Sequence, residues 1–224
     1  MLNSVKLGHV TLNNASNNNT LMEELETVFE EQGLMTFGST LNHIWCFLHI
    51  INLAVTTLLK DLPAATQLIW KKAAEDRDTL DNDILDYLNA LESRLIGLVR
   101  VSVKEMRKTD LHQDGFAESI QIGNFHGLFK DETGETVTTP ALQLKRNSDT
   151  RWSSTLNMIK QYLELYLAVL WYSTEHPDMK IPFILQCQFN VLQDLVSLLE
   201  VLNSVQELLC AERTPTPLAK MYFP

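Results

Sequence analysis

Cysteine is scarce in this 224-residue chain: Cys46, Cys187 and Cys210 are the only three, odd in number and far apart. That usage excludes the disulfide framework that staples small secreted domains, and it fits a reducing compartment. Near the N-terminus, Lys6 and an Asn-rich stretch stand where a signal peptide needs an apolar core. The chain therefore reads as nuclear or cytoplasmic and not secreted. Its most apolar window, about 191–209, contains Gln193, Asp194, Glu200 and Glu207, which excludes a membrane span there. Positive charge is also short: 18 Lys and Arg against 28 Asp and Glu give a formal net charge of −10. Affinity for a phosphate backbone comes largely from Lys and Arg displacing counterions, so the chain as a whole repels DNA. Any nucleic-acid contact has to use a local basic patch, and the visible cluster is Lys145, Arg146 and Arg151.

What is present is ordinary globular composition, 45% hydrophobic and 21% charged, with enough length for one or two cores. Leu7 to Leu12 alternates and is rich in aliphatic and β-branched residues, which predicts a short strand ending at Asn13. Leu21, Met22, Leu25, Val28 and Phe29 then recur at helical spacing, predicting an amphipathic helix capped near Asn18 or Asn19 and stopped at Gly33. A second short strand fits Ile44 to Cys46. Strand, helix, strand is the order that a parallel pair requires. From His49 onward the pattern is helical, first through Leu58 and ending before Pro63, then as a long helix from about Leu80 to Lys108. Ile84, Leu88, Leu91, Leu95 and Leu98 form a heptad-like seam on that helix, for which packing inside a bundle is the plainer account than a dimer zipper. Gly115, Gly123, Gly127, Gly134 and Pro140 mark residues 109–150 as a loop-rich connection, with a small hairpin around Glu132 to Glu135. Two more helices, about Ser153 to Ser173 and Phe183 to Cys210, are separated by His176-Pro177 and Pro182. The fold class expected is mainly α with a small α/β part, divided into 1–48 and 49–224.

Several local patterns invite chemistry and have plainer explanations. Glu75 to Asp83 is acid-rich like a calcium loop but lacks its central glycine and its terminal glutamate in register. Cys46 and His49 have metal-binding character, yet zinc needs four ligands and the other Cys and His residues are scattered. A Cys and a helix-entry His that pack the strand explain the pair. Arg151 can clamp phosphate and Trp152 can stack on a base. The structural alternative is that Asp149 or Ser148 caps a helix while Trp152 is buried. Asn13, Asn14 and Asn17 fit a turn and helix cap.

Three segments in order carry a resemblance. Thr11 to Asn18 resembles the "DNAsNN" signature of hAT-family DNA transposases; Cys46 to Leu53 resembles the CxxH motif of that family followed by "xxNL"; Asp149 to Thr155 resembles its "TRWnST" motif. The matching residues are Asn13, Asn14, Cys46, His49, Arg151 and Trp152. The resemblance implies a partial RNase H-like fold over 1–48, with short parallel strands plus a helix, followed by a helical insertion domain over 49–224. Family members hold divalent magnesium with carboxylates for phosphodiester hydrolysis and strand transfer. Asn13 stands at the position of one such Asp, and the other two acids of the family would fall upstream of Met1 and beyond Pro224. An Asn supplies a neutral carbonyl and removes one negative charge from a magnesium site. The expectation is therefore no enzyme, no cofactor, and a catalytically inactive fragment or domesticated relic. Its nucleic-acid association, weak because of the net charge, is expected to involve Arg151, Trp152, His49, Lys145 and Arg146. Two alternatives stand beside it: a helical protein-interaction scaffold forming homo- or hetero-oligomers through helical faces such as the 84–98 seam, and part of a larger active transposase.

Overall fold

The computed structural model describes residues 8–13, 15–33, 37–75, 81–148 and 151–210. Leu7, Asn14, residues 76–80 of the acidic run, Asp149, Thr150 and the Cys210 side chain lie outside those described. The chain forms two compact units, Met1–Thr57 and Leu58–Pro224.

In the first unit β1 (Val10–Leu12) pairs in parallel with β2 (His43–Trp45), in the register Val10 to His43, Thr11 to Ile44 and Leu12 to Trp45. Between them runs α1 (Ser16–Glu31), the crossover that a parallel pair needs. The ladder is extended at both ends, where Val10 N donates to Asn42 O and Cys46 N donates to Leu12 O, each at 2.8 Å. Met22 of α1 is buried, and the Phe29 and Phe37 rings meet at 5.1 Å between centroids. The helix starts earlier than its Asn caps suggest: Ala15 is the N-cap and offers no side-chain bond. Asn18 instead reaches back, its Nδ2 donating to Asn13 O at 2.8 Å and to Asn13 Oδ1 at 2.5 Å. Gly33, at φ +73°, follows the helix end, and its N–H donates to the Glu30 carbonyl.

The next helix, α2 (Phe47–Glu75), contains Pro63 in its interior, where the sequence pattern places a stop. Proline removes the bond to the Leu59 carbonyl, but Leu58 to Leu62 before it and Ala64, Ala65, Gln67 and Leu68 after it are mostly strong helix formers that carry the helix through. The boundary between the two units falls within this helix.

The second unit is a helical assembly: the rest of α2, then α3 (Asn82–Glu92), α4 (Leu95–Met106), α5 (Asp110–His126), α6 (Trp152–Glu164), α7 (Tyr166–Glu175) and α8 (Gln186–Cys210). The expected single helix from 80 to 108 is two helices. Ser93 ends the first: its Oγ donates to the Ala90 carbonyl at 2.6 Å, its backbone turns extended at ψ 136°, and Gln188 Nε2 on α8 holds its hydroxyl at 3.2 Å. A serine that bonds its own preceding turn competes with helix continuation. The heptad-like seam is thereby cut between Leu91 and Leu95, and Leu88 and Leu95 are used inside the bundle at 5% exposure each.

Residues 109–150 are only partly loop, because α5 occupies 110–126. The glycines misled the pattern. Gly123 sits inside α5 because the Phe129 ring occupies its open side; a Cβ there would lie 2.2 Å from Phe129 Cζ. Gly127 ends the helix at φ +62°, with Leu128 N bonding Gly123 O and Gly127 N bonding Asn124 O, a left-handed cap that favours glycine. The expected hairpin is present as an antiparallel bridge between Lys130 and Thr136. Asp131 organises its turn by accepting from Thr133 Oγ1, Thr133 N and Glu135 N, and the Thr133 hydroxyl foremost among these donors holds its carboxyl below the usual range.

One helix expected over 153–173 is α6 followed by α7, jogged at Leu165 (φ −100°, ψ 8°), while the bonds Leu165 N to Gln161 O and Val169 N to Leu165 O continue across the jog. No proline or glycine marks the place. Leu165 is fully buried and Tyr166 anchors the turn by donating from its hydroxyl to Ile184 O at 2.8 Å. Helix α6 is the centre of the core. It packs on α4, α7 and α8; its Trp152, Leu156, Met158, Ile159 and Tyr162 are buried, as are Val99 and Val103 of α4 and Leu192, Leu195 and Leu199 of α8. Burial raises the phenols of Tyr162, Tyr166 and Tyr172 above their usual range, and burial together with the Asp194 carboxylate pushes Tyr87 up to about 12.

Candidate anion-binding groove

Asn13, Cys46 and His49 belong to the first unit. The Asn13 Oδ1 accepts Ala15 N–H at 3.1 Å as well as the Asn18 amide, an Asx turn that uses the carbonyl a metal would need. Cys46 and His49 are half-buried and adjoin the start of α2, where His49 N donates to Cys46 O at 3.0 Å. Among the described residues no three or more His, Cys, Asp or Glu side chains gather as a metal site. Asn13, Cys46 and His49 themselves offer no anionic oxygen, the ligand that magnesium favours.

The second unit holds Lys145, Arg146, Arg151 and Trp152. Trp152, the first residue of α6, is 4% exposed, and its Nε1–H donates to Gln206 Oε1 of α8 at 3.2 Å. Arg151 is exposed and is the N-cap of α6, its carbonyl accepting from Ser154 N at 3.1 Å. Neighbouring in sequence, the two therefore divide: the indole is built into the helix packing and the guanidinium faces solvent. Lys145 is exposed as well.

Arg146 has the neighbours that define a site. It is brought to α4 by a chain of long-range bonds along the 128–148 segment. Asn124 clamps Thr139 twice, Nδ2 to Thr139 O at 2.7 Å and Thr139 N to Asn124 Oδ1 at 2.8 Å. Gln143 Nε2 donates to Gln113 O at 2.9 Å, and Arg107 Nη1 donates to the carbonyl of the fully buried Leu144 at 2.6 Å. Arg146 Nη2 then donates to Arg107 O, and Asn147 Oδ1 receives Ser154 Oγ at 2.7 Å and Thr155 Oγ1 at 3.0 Å. Each bond fixes one more residue of the segment against the helices.

These ties bound a groove of about 420 Å³, lined by Arg100, Lys104 and Lys108 on one side and Arg146 with Asn147 on the other, with Val103 and Met158 at its base. Arg100 and Lys104, four residues apart, share a face of α4, and Lys108 continues the same step just past the helix end. Arg100 Nη2 also reaches Thr155 Oγ1 at 3.4 Å. Lys108 is shared with Glu105 at 3.0 Å, a bond that lowers the Glu105 carboxyl below its usual range. Among the described residues, Arg100, Lys104 and Arg146 have no carboxylate within ion-pairing distance, and none lines the groove.

The chain matches no protein-family model, no curated protein and no solved structure.

Of the basic residues visible in the sequence, Arg146 is thus joined by three cations that reading along the chain did not single out. Their four-residue spacing was the available signal. It was masked by the apolar seam of the same segment, which drew attention to the opposite face. Among the described residues no helix is long and apolar enough to cross a membrane.

Proposed function

We propose that this chain is a catalytically inactive relative of the hAT-type DNA transposases, with a remnant of an RNase H-like core in the first unit and a helical insertion domain in the second. In this reading the second unit holds nucleic acid by its phosphate backbone, in the nucleus or cytoplasm. The observation that carries the binding role is the convergence of Arg100, Lys104, Lys108 and Arg146 on one groove in a chain of net charge −10. Cations collected against the overall balance, three of them without a carboxylate partner among the described residues, are suited to a phosphate ligand. Arg151 and Lys145, both exposed, belong to the same stretch of chain. Loss of catalysis is supported by Asn13, whose amide oxygen is engaged in its own turn. Supercoiled plasmid incubated with the chain and magnesium is expected to be retarded on a gel and left uncut. Magnesium-dependent nicking that disappears on substituting another acidic residue overturns the inactive assignment.

A second reading, a helical interaction scaffold, is favoured by α8. Leu198, Val201, Val205 and Leu208 lie on one side of it at 51%, 63%, 41% and 72% exposure, spaced like a coiled-coil seam. The occupant in this reading is a second copy of the chain. Because two copies of net charge −10 repel, self-association is expected to strengthen with salt, opposite in sign to DNA binding, and to vanish in Val201→Lys. Sedimentation that stays monomeric at all protein and salt concentrations removes this reading.

A further inference from the structure

We infer that the groove between α4 and the 144–147 segment takes a compact oligophosphate, the linear anhydride chain found in a nucleoside triphosphate, and that such a ligand excludes nucleic acid from the same cations. The exclusion rests on the nucleic-acid reading above; the oligophosphate site itself rests on the groove alone.

Three observations point to a compact anion. The first is size: about 420 Å³ lies within the range of small-ligand pockets, roughly 300–1,000 Å³. The second is the arrangement of charge. Arg100 and Lys104 lie about 6 Å apart along α4 at helical rise, Lys108 follows just past the helix end, and Arg146 approaches from the other wall, so a short chain of phosphates meets cations on two sides. Arg100 and Arg146 can each present a planar fork of N–H donors, whereas Lys104 and Lys108 act as point charges. Asn147 is held by the Ser154 and Thr155 hydroxyls, and Arg100 leans on Thr155, so that wall is tied to the start of α6. The third is the surrounding charge. Salt limits the reach of exposed charges to about 8 Å at physiological ionic strength, so an anion seated wholly in the groove meets chiefly its four cations, offset by the single Glu105 carboxylate that pairs with Lys108. An extended polyanion runs past the groove and meets the excess of 28 acidic over 18 basic residues. Among the described residues the groove lining has no aromatic residue on which a base could stack. Recognition is therefore of phosphate and not of base.

The test uses the full chain and inorganic triphosphate as the probe, followed by isothermal calorimetry, with a short labelled DNA duplex measured in parallel by anisotropy. Saturable one-to-one triphosphate binding is expected. It should weaken at least about tenfold in Lys104→Ala/Arg146→Ala and remain unchanged in Lys71→Ala, an exposed lysine of α2 outside the groove. Lys104 and Arg146 are themselves exposed, so the double variant is expected to fold, which circular dichroism checks. Orthophosphate is expected to bind more weakly than triphosphate, and triphosphate to displace the duplex. Absence of saturable triphosphate binding, or binding indifferent to the double variant, overturns the inference. Duplex binding that triphosphate fails to displace overturns the exclusion and leaves the nucleic-acid reading in place. Triphosphate binding with no duplex binding at any salt concentration sustains the site and overturns the nucleic-acid reading.

Discussion

Trp152→Ala is expected to lower the stability of the helical unit by about 3–5 kcal/mol, the usual range for truncating a buried tryptophan. The indole is 4% exposed at the start of α6 and donates to Gln206 Oε1 on α8, so the truncation removes both a large apolar contact and a tie between two helices of the core. Arg151→Ala, one residue earlier, is expected to change stability by less than about 0.5 kcal/mol, as for other surface substitutions. The Arg151 carbonyl that receives Ser154 is backbone and survives the change. Trp152→Phe should fall between the two, keeping most of the apolar contact and losing about 1 kcal/mol of hydrogen bonding. Urea denaturation followed by circular dichroism separates the three. Trp152→Ala with an unchanged midpoint and a selective loss of DNA binding would contradict the buried role and return the tryptophan to the binding surface.

The second large effect is on binding. In Lys104→Glu/Arg146→Glu the affinity for duplex DNA is expected to fall at least about a hundredfold. A unit charge about 4 Å from a phosphate contributes about 1 kcal/mol even at the dielectric constant of water, so reversing one charge changes the interaction by about 2 kcal/mol. That corresponds to roughly 30-fold per site. Two sites on opposite walls of the groove approach independence, and salt screening keeps the product below its full value. Lys71→Glu reverses one charge at an exposed position of α2 and should weaken binding by only a few fold. If Lys71→Glu and the groove variant behave alike, net charge and not the groove governs the interaction.

Much of the fold was legible where a local signal and the tertiary packing agree. The alternation to Leu12, the helical spacing from Leu21 to Phe29 and the stop at Gly33 anticipate the parallel β1, α1, β2 unit, and Pro177 and Pro182 bracket the turn before α8. Errors cluster where a distant partner decides the outcome. Gly123 reads as a break until Phe129 is seen to fill its open side, Ser93 reads as an ordinary helix position until Gln188 holds its hydroxyl, and Pro63 reads as a stop although its neighbours carry the helix onward. The candidate site follows the same division. Lys145 and Arg146 are adjacent and visible in the sequence, whereas the approach of Arg146 to Arg100 and Lys104 depends on Asn124 with Thr139 and on Arg107 with Leu144. Those pairs are separated by 15 and 37 positions, and no pattern along the chain reveals them.

Placement of Asn13 adds a chemical counterpart. Its residue type is visible in the sequence and weakens any metal site, but only the geometry shows the amide oxygen occupied by Ala15 N–H and Asn18. A carboxylate at this position could accept the same two donors. The substitution Asn13→Asp therefore supplies one anionic oxygen ligand at this position.

The most direct test is the salt dependence of duplex DNA binding by the full chain and by Lys104→Glu/Arg146→Glu. Four groove cations contacting phosphate give an expected slope of log K against log salt of about −3.5 for the unaltered chain, at about −0.9 per contact, with a much shallower slope and weaker binding in the variant. Binding that is insensitive to salt, or equally strong in both proteins, contradicts a phosphate-binding groove.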